Sequence, residues 1–140
     1  MFGFLKRLKP GGGAPPDDDP EIQLEMAEGL DAVRRAEEAG ALPVLETQHR
    51  VIGADACHLA VPASMPDKSD AFGKLFVTDR RVLFAGGASV SLGIGRIVKV
   101  DRHQRDVVLI SGGDGLVRFR CNSFGDAMLA VWMIARLKQS

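Results

Sequence analysis

The stretch GKLFVTDRRVLFAGG, residues 73–87, constrains this chain more than any other. Apolar residues alternate along two runs that meet at Thr78-Asp79-Arg80, and glycines close both ends. A period of two marks a half-buried strand, because successive side chains on a strand point to opposite faces. The segment reads as a β-hairpin, with Leu75 and Val77 sharing one face while Val82 and Phe84 share another. A lone hairpin is at best marginally stable in water, so the rest of the chain must supply more strands.

Residues 55–62 alternate in the same way and end at Pro62, which has no N–H to give to a ladder. A polar loop, 64–71, leads into the hairpin, and Gly86-Gly87 turns the chain after it. Residues 89–92, 96–100, 107–111 and 116–121 then read as short strands. They are separated by Gly93 and Gly95, by 101–106, and by Gly112-Gly113-Asp114-Gly115, the clearest turn signal in the chain. The last element reads as a helix: Ser123 caps it, Asp126 follows three residues on, and Arg136 and Lys138 meet the negative end of its dipole. Phe124, Met128, Val131 and Ala135 share one side of that helix, while Leu129, Trp132 and Met133 lie on others. A helix apolar nearly all round needs cover on more than one side. Seven strands and a closing helix imply a small antiparallel sandwich or barrel, plugged at one end by the helix.

The 140 residues suffice for one domain with a real core and not for two. That domain is expected over 45–138. Residues 1–20 read as a flexible start and linker, and 21–40 as an amphipathic helix. In the start, Phe2, Phe4, Leu5 and Leu8 accompany Lys6, Arg7 and Lys9, a mix that suits a membrane interface if helical. PGGGAPPDDDP after it is a solvated linker. Asp19-Pro20-Glu21 is a strong helix start, and Gly40 with Pro43 a stop. Ile22, Met26, Leu30 and Val33 recur at helical spacing between them, and that stripe must pack on the domain or on a partner.

Lysines and arginines balance aspartates and glutamates at 18 each, so net charge selects no class of ligand. Residues 1–44 hold five basic groups against nine acidic ones, leaving 13 against 9 in 45–140. An acidic start beside a basic domain could fold back and mask a binding surface. The domain's cations are Arg80 and Arg81 at the hairpin bend, Arg96, Lys99 and Arg102 along a later strand, and Arg118 and Arg120 two apart on another. They offer a weak anion- or partner-binding surface, although alternating arginines are also what solvent-facing strand positions look like. Ile22, Met26, Leu30, Leu129, Trp132 and Met133 offer a weak apolar interface.

Cys57 and Cys121 are too few and too widely separated for a metal knuckle or a disulfide framework, and free thiols are expected. His49, His58 and His103 form no metal-binding spacing, so neither metal nor cofactor is expected. No nucleophile-and-base arrangement marks an enzyme. The glycine-rich 111–115 segment lacks the lysine of a phosphate loop, and low aromatic content argues against nucleic acid. Neither an export signal nor a membrane span is read, and a cytoplasmic protein, membrane-associated at most, is the expectation.

The run Gly73-Lys-Leu-Phe-Val-Thr78-Asp-Arg80-Arg-Val-Leu-Phe84, followed by the strands at 89–92 and 96–100, two more strands and a terminal helix, resembles GRAM and bacterial pleckstrin-homology-like (PH-like) domains. The resemblance spans about 45–138, and the hairpin is its specific part. It implies two nearly orthogonal antiparallel sheets capped by a C-terminal helix, and no catalysis. Such domains commonly bind anionic lipids, peptides or protein partners. This chain departs from the lipid-binding members in the 63–72 loop, where Lys68 stands beside Asp67 and Asp70. Three functions remain open: a module that binds a protein or itself through apolar helix faces, a peripheral membrane adaptor, and a small-molecule or enzymatic role.

Overall fold

A computed structural model describes residues 20–46, 50–113 and 115–139. The apolar-basic start, nearly all of the linker, the Asp19 cap, His49 and Asp114 lie outside these residues. The chain opens with helix α1, Pro20–Ala39. Pro20 needs no intrahelical N–H partner there, and Glu21 lies in the first turn, at the positive end of the dipole. Gly40 ends the helix at φ +80, a conformation that glycine enters without a side-chain clash, and its N–H bonds the Glu37 carbonyl.

Seven strands follow: β1 Cys57–Met65, β2 Ala71–Thr78, β3 Arg81–Gly86, β4 Ser89–Gly93, β5 Ile97–His103, β6 Asp106–Ser111 and β7 Gly115–Cys121. Helix α2, Phe124–Lys138, closes the chain, with Ser123 Oγ accepting the Asp126 N–H at 3.1 Å. All pairings are antiparallel, in the order β4-β3-β2-β1-β7-β6-β5. This is one continuous open sheet, not the two separate sheets of a sandwich nor a closed barrel. β1 is its pivot: it pairs with β2 along its length and with β7 only at Ala63 and Ser64.

The sheet is strongly curled at that pivot. On a flat sheet β3 and β7, three spacings apart, would lie roughly 14 Å from each other. Yet the rings of Phe84 on β3 and Phe119 on β7 stack with centroids 5.7 Å apart. One core therefore takes in Val61, Leu75, Val77, Val82 and Phe84 from the first half, and Val107, Leu109 and Phe119 from the second. Ala127, Ala130, Met133 and Ile134 of α2 fill the mouth. Burying a phenylalanine contributes roughly 1.5–3 kcal/mol, so this stack is a main source of cohesion between the halves.

The hairpin departs from its sequence reading. Leu75 pairs with Phe84 and Val77 with Val82, which puts all four on the same, inner face. Phe76 and Leu83 point outward and are buried as well, beneath Ile52 and Cys57. The segment around Arg50–Ile52 covers them, and periodicity within the hairpin carries no sign of that cover. Pro62 does not end β1 but sits within it, opposite Lys74, just before pairing with β7 begins. A strand position without an N–H is tolerated beside an unpaired side. The expected loop at 64–71 shrinks to a tight connection: Pro66–Lys68 forms a single 3-10 turn, and Ser69 and Asp70 follow at positive φ. β5 runs on to His103, and the turn expected over 101–106 is only Gln104-Arg105. Polar residues misled there because β5 is an edge strand with one wet face.

Gly73 lies where β2 and β3 come closest: a Cβ there would fall 2.2 Å from the Ala85 carbonyl oxygen. Gly73→Ala is expected to cost about 1–3 kcal/mol by forcing the strands apart. Thermal unfolding followed by circular dichroism checks this, and an unchanged Tm would contradict the close approach.

Candidate partner-binding surface

The helix stripes are largely consumed within the chain. α1 lies on α2, and the two backbones meet at Gly29 and Gly125: a Cβ on Gly29 would stand 2.9 Å from Gly125 Cα. Glu25 makes the joint polar as well as close. Its Oε1 accepts the Phe124 N–H at 3.0 Å, satisfying a free donor at the start of α2, and its Oε2 accepts from Arg105 at 3.1 Å. Burial, and then the Glu25 charge, push the Asp126 carboxyl above its ordinary value. Ile22 and Met26 are half-buried, as are Leu129 and Trp132, and Met133 is in the core. Trp132 Nε1 donates to Glu37 at 3.4 Å, and the Arg136 guanidinium lies 5.7 Å over its ring. Among the described helix positions singled out for an apolar interface, Leu30 alone is exposed, at 57%.

The cations are spread over several places rather than gathered. Arg81 donates to Asp55 at 2.8 Å and to the carbonyls of Val51 and Ile52, tying the cover segment to the hairpin. Thr78 completes the tie: its hydroxyl donates to Asp55 or the Arg81 carbonyl and accepts the N–H groups of Arg80 and Arg81. Arg80 points to solvent beside this joint. Arg96 lies over Gly113 in the β6–β7 turn. Lys99 stands 3.6 Å from Asp101, and Arg102 donates to the Gln104 carbonyl and covers the Phe124 ring at 5.1 Å. Arg120 grips the buried Asp106 with two hydrogen bonds, and Arg118 lies 3.8 Å from the same carboxylate. A buried carboxylate requires such partners, so much of the basic pattern on β7 serves the fold.

Asp106 and Asp55, the anions that take up these arginines, were not singled out in the sequence. Only their long-range partners give them meaning, and those arise from register. The cysteines stay apart from this chemistry. Burial, with Asp126 and Asp106 nearby, pushes the Cys121 thiol up to about 12, and burial raises Cys57, whose Sγ lies 3.3 Å from the Leu59 carbonyl. His58 Nδ1 sits 2.7 Å from the Pro43 carbonyl. Among the described residues no three metal-ligating side chains gather, and no helix is long and apolar enough to cross a membrane.

One hollow of the surface lies beside β4. A cleft of about 440 Å³ runs between β4 and the start of β7, closed at one end by the Pro66–Lys68 turn. Its wall is apolar at Met65, Leu92, Leu116 and Val117, and polar at Asp67, Lys68, Ser89, Ser91 and Arg118. Arg118 donates to Asp67 at 2.9 Å, but its Nε is buried without a hydrogen-bond partner among the described residues. A buried donor left unmatched is costly, and among the described residues it is the one such side-chain atom. Sequence reasoning missed this cleft because β4 carries no charge to notice. No protein-family model matches the chain, and no curated protein matches it in sequence.

Desolvation of Asp55 opposes its charge, but hydrogen bonds from Arg81 and Thr78 and the Arg81 charge hold its carboxyl below the ordinary 3.8. The pair therefore stabilises the fold above that value, and its contribution fades as pH falls through the lowered one. Asp55→Asn is expected to cost roughly 1–3 kcal/mol near neutral pH and progressively less in acid below 3.8. Urea unfolding of both proteins across that range measures it, and a gap that widens in acid would contradict the pairing.

Proposed function

We propose that this chain is a non-catalytic binding module of the PH-like type, and that its ligand is a protein partner held along the β4 side of the curled sheet. The antiparallel strands and the C-terminal helix over the core support that type, whereas the two sheets that the resemblance implies are here one continuous curled sheet. The observation that carries the reading is the cleft beside β4, whose wall is apolar at Met65, Leu92, Leu116 and Val117 and which Lys68 also lines. Self-association through helix faces is less favoured, because α1 and α2 already cover each other. An anionic-lipid site on the basic strands is less favoured too: Arg118 and Arg120 are held by Asp67 and Asp106. An enzymatic role would need reactive groups, and the buried thiols and carboxylates found here are held in protonated or ion-paired states.

Site-specific photo-crosslinking in cells tests this. A photoreactive residue at Ser91 of the full chain is expected to capture protein, and the same residue at Lys99 on the opposite edge is not. Equal capture at both positions, or none at Ser91, would overturn the assignment. So would co-sedimentation with phosphatidylserine vesicles that Arg118→Gln and Arg120→Gln abolish.

A further inference from the structure

The two helices are held in different ways. α2 buries Phe124, Ala127, Ala130, Met133 and Ile134. In α1 only Gly29 is buried; Ile22, Met26 and Val33 are half-buried, and Leu24 and Leu30 are exposed. Little apolar side-chain surface of α1 therefore leaves water when it lies on α2. Segments with few buried apolar contacts are those that open locally at least cost.

The joint between the helices is also incomplete. A hollow of about 200 Å³ lies between them, with Glu25 and Glu28 of α1 on one wall and Asp126 and Leu129 of α2 on the other. Burial and then the Glu25 charge disfavour the ionised Asp126, and among the described residues no hydrogen bond or ion pair to its carboxylate offsets them. Polar pins hold α1 instead: Glu25 to the Phe124 N–H and Arg105, Glu37 to Trp132 and, just past the helix, the Gly40 carbonyl to Arg136. The last two are exposed, and exposed polar contacts exchange with water at little net cost.

Beyond α1 the chain is fixed again within a few residues. Leu42 packs against the core, His58 Nδ1 lies 2.7 Å from the Pro43 carbonyl, and the Leu45 N–H donates to the Cys57 carbonyl at 2.8 Å. Between Ala39 and Leu42 stand only Gly40, at φ +80, and Ala41, both exposed. A few such residues at the end of an element suffice for a hinge. We propose that α1 is a lid on α2, hinged at Gly40-Ala41, which swings away as one unit while the sheet and α2 stay folded, and which fills a helix-binding face. What it covers is apolar: Met128 lies beneath Gly29, Leu129 borders the hollow, and Trp132 meets Glu37. A helix seated there needs a small residue against Gly125 and a carboxylate at the Phe124 N–H, which α1 supplies as Gly29 and Glu25. The lid goes beyond the β4 reading and does not rest on it.

Native-state hydrogen exchange of the full chain, read by mass spectrometry, tests this. The amides of residues 26–36 are expected to exchange together, at least roughly a hundredfold faster than those of β6 and α2. In Gly29→Leu the new Cβ would stand 2.9 Å from Gly125 Cα and 2.8 Å from Met128 Sδ, while helix propensity within α1 rises. This variant is expected to speed α1 exchange at least roughly tenfold and to leave β6 protected. It should also shift the emission of Trp132, the one tryptophan, to longer wavelength. Asp126→Asn removes a charge that opposes closure, and is expected to slow α1 exchange. A synthetic peptide of residues 20–40 is expected to bind the Gly29→Leu chain and restore its Trp132 emission. It should bind the unsubstituted chain at least roughly tenfold more weakly, because the tethered lid competes.

Exchange of α1 at the rate of the sheet would overturn the lid, since α1 would then open only with the whole fold. So would a Gly29→Leu chain that loses protection in β6 together with α1, or an Asp126→Asn chain whose α1 exchanges no more slowly. A peptide of residues 20–40 that leaves the Trp132 emission of the Gly29→Leu chain unchanged would mean that the face takes no helix. A peptide of residues 1–19 that restores it equally well would make the occupant the start of the chain, and either result overturns the assignment. Cross-linking at Ser91 bears on none of these outcomes, so the lid and the β4 reading fail separately.

Discussion

The rest of the structure depends on the curl of the sheet at β1. Seven antiparallel strands expose two faces, and one 15-residue helix cannot cover a flat sheet of that width. Folding the sheet over itself lets its inner face become its own cover, with α2 needed only at the mouth. β1 permits this because it shares just Ala63 and Ser64 with β7, so few ladder bonds resist the bend. Phe84 and Phe119, distant in strand order, become neighbours, and the core is continuous between the halves. The same bend brings β4 toward β7 without pairing them, and so creates both the free edge and the cleft beside it.

Most of the charge on the sheet holds this bent form together. Asp106 is buried between the arginines of β7, and Asp55 ties the hairpin bend to the segment that covers the outer face. Glu25 joins α1 to the start of α2 and to the β5–β6 turn at once. Each of these groups would be costly to leave unpaired after burial, so the pairs set geometry more than they add net stability.

Much of the architecture was legible because alternation and turn residues are local signals. The hairpin, the short strands after it and the Ser123-capped helix all declare themselves within windows of a few residues. What escaped was set by distant pairing. Pro62 looks like a strand end until β1 is seen to lack a neighbour beside it, and Val82 changes face once its register with Val77 is known. The arginines were visible as cations, but Asp55 and Asp106, far from them in sequence, decide which are committed. β4 was legible as a strand, yet nothing in Ser-Val-Ser-Leu-Gly reveals that it lies at an edge.

A double-mutant cycle on Phe84→Leu and Phe119→Leu tests the curl most directly, with unfolding free energies measured by urea denaturation. The stacked rings predict a coupling of roughly 0.5–1.5 kcal/mol between residues three strands apart. Losses that add to within roughly 0.3 kcal/mol would mean the rings do not meet, and would contradict the folded-over sheet.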